Sequence, residues 1–194
     1  MQKIALESLP RMPWKNAGGV TQVLAIEPPG AGLDDFDWRI SCAQVASSGA
    51  FSAFPGVDRS VLVLQGAGLQ LRIGEAEDVT LDADGAVLRF RGEQPVTAEL
   101  LSGPLSDFNV MTRRTRYTHE LLRTTLCGEQ YYRLSTDATL IFCATGHVTC
   151  RVACAAAVEL DVQEGLLLER AEADWLTLTA TLPSSLCIVR LCRV

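Results

Sequence analysis

The sequence predicts an all-β protein built as two similar units in tandem, and three observations carry that prediction. Short Val-, Leu- and Thr-rich runs alternate with Pro and Gly, the texture of many strands and few helices. The runs are regularly spaced, as in a sandwich or barrel. At an offset of 80 residues the chain also repeats itself weakly, in the order of its turns and strands more than in identity. A chain of 194 residues, 48% apolar, suffices for one large domain or two small ones, and either can bury a real core.

In chain order, the first unusual stretch is "PWKNAGG", Pro13 to Gly19. An aromatic, a cation and an amide precede two glycines, which reads as a turn with a Trp anchor. Next, in "FDWRISCAQV" (36–45), period-2 alternation puts Trp38, Ile40 and Cys42 on one face and Arg39, Ser41 and Ala43 on the other. "SGAFSAFPGVDRSVLVL" (48–64) adds Phe51, Phe54, Pro55, Asp58 and Arg59 before an apolar strand. There Asp58–Arg59 reads either as a structural turn or as a cationic contact at the mouth of a barrel.

The repeat follows. "VLVLQGAGLQLRI" (61–73) matches "IFCATGHVTCRVA" (141–153), with Gly66 opposite Gly146. "DGAVLRF" (84–90) matches "EGLLLER" (164–170), with Gly85 opposite Gly165, and "VTAELLSGP" (96–104) matches "LTLTATLPS" (176–184). Glycines at these places are expected to give the positive φ of hairpin turns. The junction between the units falls between about residue 112 and residue 130, and the division expected is 1–117 and 118–194, with terminal strands open to exchange between the two. "AELLSGPLSDFNVM" contains a candidate helical turn, but the run from Asp107 to Thr125 is rich in Thr and aromatics and reads as extended chain. In "DFNVMTRR" (107–114), Phe108 and Val110 share one face, and Asp107, Asn109, Met111 and Arg113 the other. The Arg113, Arg114, Arg116 and Arg123 cluster reads as a solvated strand or loop.

Composition excludes several function classes. Net charge is −6, against the concentrated basic surface that a nucleic-acid partner requires. The first residues lack a signal-peptide core, and no run approaches the ~18 apolar residues of a membrane helix. A cytoplasmic protein with neither nucleic acid nor membrane as partner is expected, and seven cysteines, an odd number, fit that compartment. They contain no C-x-x-C pair, and Cys150 and Cys154 share parity with Val148 and Val152, so they read as buried apolar groups. His119 and His147 have no second His or carboxylate at a ligand-like spacing, so neither a metal nor another cofactor is expected. Hydrolase, zincin and phosphate-loop motifs are absent too.

What remains is polar residues inside apolar strands. If the Arg39/Ser41 and Asp107/Asn109 faces both point inward, they line a barrel with guanidinium, hydroxyl, amide and carboxylate groups. Such a lining suits a small anion, because guanidinium grips carboxylate in a bidentate, charge-assisted way. The alternative is that both faces meet solvent.

Three segments resemble the HutD/Ves family: "PWKNAGGVTQVLAI" (13–26), "FDWRISCAQVASSGAFSAFPGVDRSVLVLQGAGLQL" (36–71) and "PLSDFNVMTRR" (104–114). The family's patterns are approximately W-K-N-G-G-G-x-T-x-E, W-R-[IL]-S with F-S-x-[FY]-x-G-x-x-R, and D-F-N-x-M. Here Ala17 stands where Gly is usual, and Gln22-Val23 replaces the acidic position after Thr21. The resemblance implies two tandem cupin-like (jelly-roll) barrels, a bicupin, without metal. It further implies binding of an intermediate such as N-formylglutamate or urocanate, with restraint of histidine utilisation in bacteria.

The ligand contacts expected are Trp14, Lys15, Asn16, Arg39, Ser41, Arg59, Asp107, Asn109 and Met111. The partner expected is a small anionic metabolite, and a homodimer is compatible with exposed sheet edges. Two other readings compete. One is a cofactor-free isomerase or hydrolase with Lys15 or Asp107 as base and Arg39 stabilising negative charge. The other is a protein-interaction module.

Overall fold

The computed structural model describes residues 1–75, 78–153, 155–169 and 174–194. Among them every regular element is a strand except one turn of 3-10 helix, Leu6–Ser8. In chain order the strands are β1 (Gln2–Ala5), β2 (Met12–Pro13), β3 (Gly19–Glu27), β4 (Trp38–Val45), β5 (Gly49–Ala50), β6 (Val57–Gln65), β7 (Leu69–Ile73), β8 (Val79–Leu81), β9 (Leu88–Arg91) and β10 (Val96–Leu100). They continue with β11 (Leu105–Arg113), β12 (Tyr117–Arg133), β13 (Ala138–Thr145), β14 (Val148–Val152), β15 (Val158–Leu160), β16 (Glu164–Glu169) and β17 (Trp175–Arg193). The run from Asp107 to Thr125 is extended, as its Thr and aromatic content predicts, except for a turn at 114–116 between β11 and β12.

The chain forms two compact units, Pro10–Thr118 with Val194, and Met1–Leu9 with His119–Arg193. In the first, a six-stranded antiparallel sheet, β2-β3-β4-β11-β6-β9, lies with a four-stranded sheet, β5-β10-β7-β8. Val45, Val61, Val63 and Leu105 from the larger sheet pack with Leu69, Leu71, Leu81, Val96 and Ala98 from the smaller. Alternation explains this core: those positions share one parity along each strand, so every second side chain points inward. A smaller cluster joins Phe36, Val57 and Met111, with Ile26, Ala31 and Phe54 against it.

The second unit is one sheet, β1-β16-β13-β17-β14-β15, with β12 also on β17. β17 pairs with β14 over Leu176–Thr179 and with β13 over Ser185–Leu191. One strand serving two neighbours in succession makes the sheet curl, and β15 comes back against β16. The result is a nearly closed barrel. Inside it Val148, Cys150 and Val152 lie in the apolar core. Burial pushes the Cys150 thiol up to about 12 and Cys143 up to about 11, so both stay protonated and pack as small apolar groups. Cys154 lies outside the described residues.

The repeat at 80 residues is visible in the pairing. β6 pairs with β9 and β11, and β13 with β16 and the end of β17; β7 pairs with β8 and β10, and β14 with β15 and the start of β17. The glycine turns are corners, however, not hairpins, since β6 does not pair with β7, nor β13 with β14. Gly66 (φ +111) and Gly146 (φ +86) let the chain leave one pairing partner for another. Gly85 and Gly165 are outside the positive-φ region, and Gly165 lies inside β16 between Ile4 and Phe142.

Three further expectations change. Asp58 and Arg59 are strand residues of β6, not a turn. Two of the four basic residues are tied down: Arg113 donates to the carbonyls of Phe36 and Asp34, and Arg114 holds Glu93 and Asp58, while Arg116 is exposed in a turn as expected. His147, for its part, does have carboxylate neighbours. Its Nδ1 lies 2.8 Å from Asp161 and its Nε2 2.9 Å from Glu159, because the β14–β15 pairing brings them across.

Candidate functional site

The register of the larger sheet builds the site. Cross-strand neighbours run Arg39–Met111–Arg59–Phe90, then Ser41–Asn109–Val61–Leu88, then Ala43–Asp107–Val63. All of these residues therefore share a face, and it is the face that carries Ala43, Val45, Val61 and Val63 into the core. The polar residues point inward rather than to solvent: Arg39 is 7% exposed, Ser41 2%, Arg59 5% and Asp107 5%. Arg39 Nη1 donates to Ser41 Oγ at 3.0 Å.

Arg59 is held by an aromatic enclosure. Its guanidinium carbon lies 5.1 Å from the Phe51 ring centre, 5.5 Å from Phe54 and 5.0 Å from Phe90. Such contacts contribute roughly 0.5–2 kcal/mol each when desolvated, and they fix the plane of the cation. A long hydrogen bond, 3.3 Å, runs from its Nη1 to the Ser52 carbonyl. Arg59 is thus inside the unit, not at its mouth. Burial brings its pKa down to about 10, against the attraction of Asp107 and with some help from Arg39. Arg39 is lowered by burial as well.

Asp107 faces the opposite demand. Desolvation pushes its carboxyl up to about 7, although Arg59 and a hydrogen bond from the Ala43 backbone pull it down. Three buried polar atoms on this face lack a partner: Arg59 Nε, Asp107 Oδ1 and Asn109 Oδ1. Leaving such atoms unpaired costs roughly 1–3 kcal/mol each, more for charged groups. The arrangement is therefore a prepared but unsatisfied polar layer, with two cations and one carboxyl between apolar clusters. Met111 is buried with Phe36 and Val57 in the apolar cluster beside it.

The remaining three expected residues lie elsewhere. Gly19 pairs with Val45, six residues along β4 from Arg39, about 20 Å at the usual strand rise. At that end Trp14 packs on the apolar core and donates from Nε1 to Thr21 Oγ1 at 2.7 Å. Asn16 Oδ1 accepts the Gly18 N–H, an Asx turn, and Lys15 is exposed. The structure brings Arg39, Ser41, Arg59, Asp107, Asn109 and Met111 onto one face and leaves Lys15 and Asn16 in a surface turn.

The glycines of that turn supply space rather than freedom. A Cβ at Gly19 would meet the Gln44 carbonyl at 2.6 Å and the Trp14 ring at 3.0 Å, and one at Gly18 would meet Ser47 Oγ at 2.7 Å. The left-handed residue is Ala17, at φ 56°.

Sequence reading missed Phe90, whose strand β9 is reached only by long-range pairing, and the Ser52 carbonyl. Among the described residues no three His, Cys, Asp or Glu side chains gather as a metal-ligating group. Among them, too, no helix is long and apolar enough to cross a membrane.

The model of the family described as HutD matches residues 6–188. An uncharacterized 21.2 kDa protein in the hutC 3' region of Pseudomonas putida is 36% identical over 170 residues, 87% of each chain. Protein Ves of Cronobacter sakazakii is 41% identical over 117 residues, 60% of this chain and 62% of that one. Among solved structures, the conserved protein of unknown function PA5104 from Pseudomonas aeruginosa PAO1 is 32% identical with a TM-score of 0.91, covering 98% of both chains. HutD from Pseudomonas fluorescens SBW25, in a formate condition, is 29% identical with a TM-score of 0.84, covering 100% of this chain and 98% of that one. Lactobacillus farciminis oxalate decarboxylase, at 6% identity and a TM-score of 0.69 over 98% of this chain and 85% of its own, shares the cupin-like β fold alone. With sequence, fold and covered length in agreement, the chain belongs to the HutD family.

Proposed function

We propose that this chain is a bicupin that binds a small carboxylate metabolite, such as N-formylglutamate or urocanate, and thereby modulates histidine utilisation. The observation that carries the reading is the pair of buried guanidiniums, Arg39 and Arg59, on one inward face with Arg59 Nε unpartnered. Two desolvated cations with a single, reluctantly ionised carboxyl leave positive charge uncompensated, and an incoming carboxylate supplies the missing acceptor and the missing charge. The link to histidine utilisation is supported by the HutD family and by the Pseudomonas putida relative of the hutC 3' region.

Titration calorimetry with N-formylglutamate, urocanate and glutamate tests this reading. Binding is expected for at least one of them, and Arg59→Met is expected to weaken it by about 2–5 kcal/mol, the usual loss when one partner of a buried charged contact is removed. A folded protein that gives no heat with any of the three ends the proposal.

A cofactor-free isomerase or hydrolase is favoured by one specific observation, the Asp107 carboxyl raised to about 7, which suits a general base at neutral pH. Product formation from the same compounds, abolished in Asp107→Asn, would move the reading to an enzyme.

A further inference from the structure

His147 stands between the Gly146 corner and β14, and both of its ring nitrogens face carboxylates: Nδ1 lies 2.8 Å from Asp161 Oδ1 and Nε2 2.9 Å from Glu159 Oε2. A carboxylate only accepts, so both contacts are hydrogen bonds only when both nitrogens carry hydrogen, which is the imidazolium. In the neutral ring one nitrogen turns a lone pair on a carboxylate oxygen. The neighbouring charges sharpen the difference. Glu159 comes from β15, Asp161 from the β15–β16 turn and Glu164 from β16, and Lys3 Nζ of β1 reaches Glu164 and the Glu159 carbonyl, each at 2.7 Å. Without charge on His147, three carboxylates share that ammonium. On β14 the Thr149 hydroxyl donates to Glu159, and Arg151 lies two residues further along, opposite Thr177. Ser184 of β17 bonds only the His147 backbone, and Cys143 of β13, pushed up to about 11, stays a neutral thiol.

The turn that holds Asp161 is also the dock of the N-terminal segment. The Asp161 N–H donates to Glu164 Oε2 at 2.8 Å. Gln163, left-handed at φ 66°, donates its N–H to the Cys143 carbonyl and accepts the Leu6 N–H at 3.0 Å. We propose that protonated His147 is a pH-sensitive latch on this turn, which binds Asp161 to Glu159 so that Gln163 is presented to Leu6, and that loss of the ring proton loosens the hold of residues 1–9 on β16. The His147 pKa agrees with the geometry, since hydrogen bonds with Asp161 and then Glu159 raise it above its ordinary 6.5. A group whose pKa rises on folding stabilises the fold below its unfolded value and ceases to do so above its folded one. The latch is therefore closed below about pH 6.5 and opens as pH rises through the His147 titration. The imidazole is half-exposed, so it exchanges its proton with solvent without any opening of the fold.

Proton NMR on the whole chain tests this, because its two histidines, His119 and His147, are told apart by His147→Gln. Between pH 5.5 and pH 9 the His147 ring is expected to titrate above its ordinary value. Protection of the Leu6 amide, corrected for the pH dependence of free-amide exchange, is expected to fall about two- to fivefold with the same midpoint, the scale of an exposed charged contact. In His147→Gln it is expected to stay at the lower level throughout, and in Asp161→Asn the midpoint is expected to move down. Any other group titrating in this range, Asp107 among them, does so in the natural chain and in His147→Gln alike, and the difference between the two isolates His147. Leu6 protection that does not change with pH, or that falls equally in both chains, would overturn the latch. So would an equal fall at the Ile188 amide of β17, since the whole sheet rather than the dock would then be responding.

Discussion

Asp107 holds its proton more tightly in the folded chain than in the unfolded one, because burial lifts its pKa from 3.8 to about 7. Between those values the folded state carries more protons than the unfolded state, so stability falls as pH rises through that window. The contribution is fully present below about pH 4 and is lost by pH 8. Three pKa units correspond to about 4 kcal/mol, a ceiling on the effect. Asp107→Asn keeps the shape and removes the ionisation. The variant is expected to match the natural chain in stability at pH 4 and to exceed it by a few kcal/mol at pH 8, read from urea unfolding midpoints at the two pH values. An equal difference at both would show that the carboxyl is not what burial acts on. A chain that retains a destabilising acid on a face with two buried arginines is expected to gain something there other than stability, and contact with a ligand is the gain we propose.

At the scale of elements, alternation made the site's membership readable but not its direction. Period 2 groups Arg39 with Ser41, and Asp107 with Asn109 and Met111, on any strand reading. It does not say which face is inward when both faces of β4 are buried, as they are from Trp38 through Ala43. The aromatic enclosure was half legible: Phe51 and Phe54 lie within eight residues of Arg59, while Phe90 arrives on β9 through the β6–β9 pairing. The carboxylates beside His147 were hidden for the same reason, since cross-strand neighbours 12 and 14 residues away leave no local spacing. The Gly66–Gly146 correspondence was legible, yet its meaning changed from hairpin to corner. A Cβ at Gly66 would stand 2.6 Å from the Leu105 Cβ and one at Gly146 2.3 Å from Ser184 Oγ, so the two corners are sealed at positions one residue apart in the repeat. Gly66→Ala combines a disfavoured φ with a clash against backbone-anchored atoms, and is expected to destabilise by roughly 2–4 kcal/mol. Unfolding midpoints check this, and a loss below about 0.5 kcal/mol would mean that the corner relaxes freely.

At the scale of the whole molecule, the order of the chain and the order of its units differ. Met1–Leu9 belongs with His119–Arg193, and β1 extends the second sheet by pairing Gln2–Ala5 with Glu164–Leu167. Ile4 and Leu6 are buried, Lys3 Nζ donates to the Glu159 carbonyl and pairs with Glu164, and the Leu6 N–H donates to the Gln163 carbonyl. Burying two such aliphatic side chains contributes about 3–6 kcal/mol, whereas the exposed Lys3–Glu164 pair adds little. A cut of the sequence near residue 118 therefore separates β16 from the strand that covers its free edge. Removing residues 1–9 is expected to destabilise the His119–Arg193 unit selectively. Hydrogen exchange should quicken in β16, which adjoins the lost strand, and in β13 on its far side, and stay unchanged at Val61 and Val63 in the unit that carries Arg39 and Arg59. The carboxylate binding that we propose should likewise persist in the shortened chain. Uniform loss of protection in both units would instead mean that the two unfold as one cooperative body, and that residues 1–9 stabilise the Pro10–Thr118 unit as much as their own.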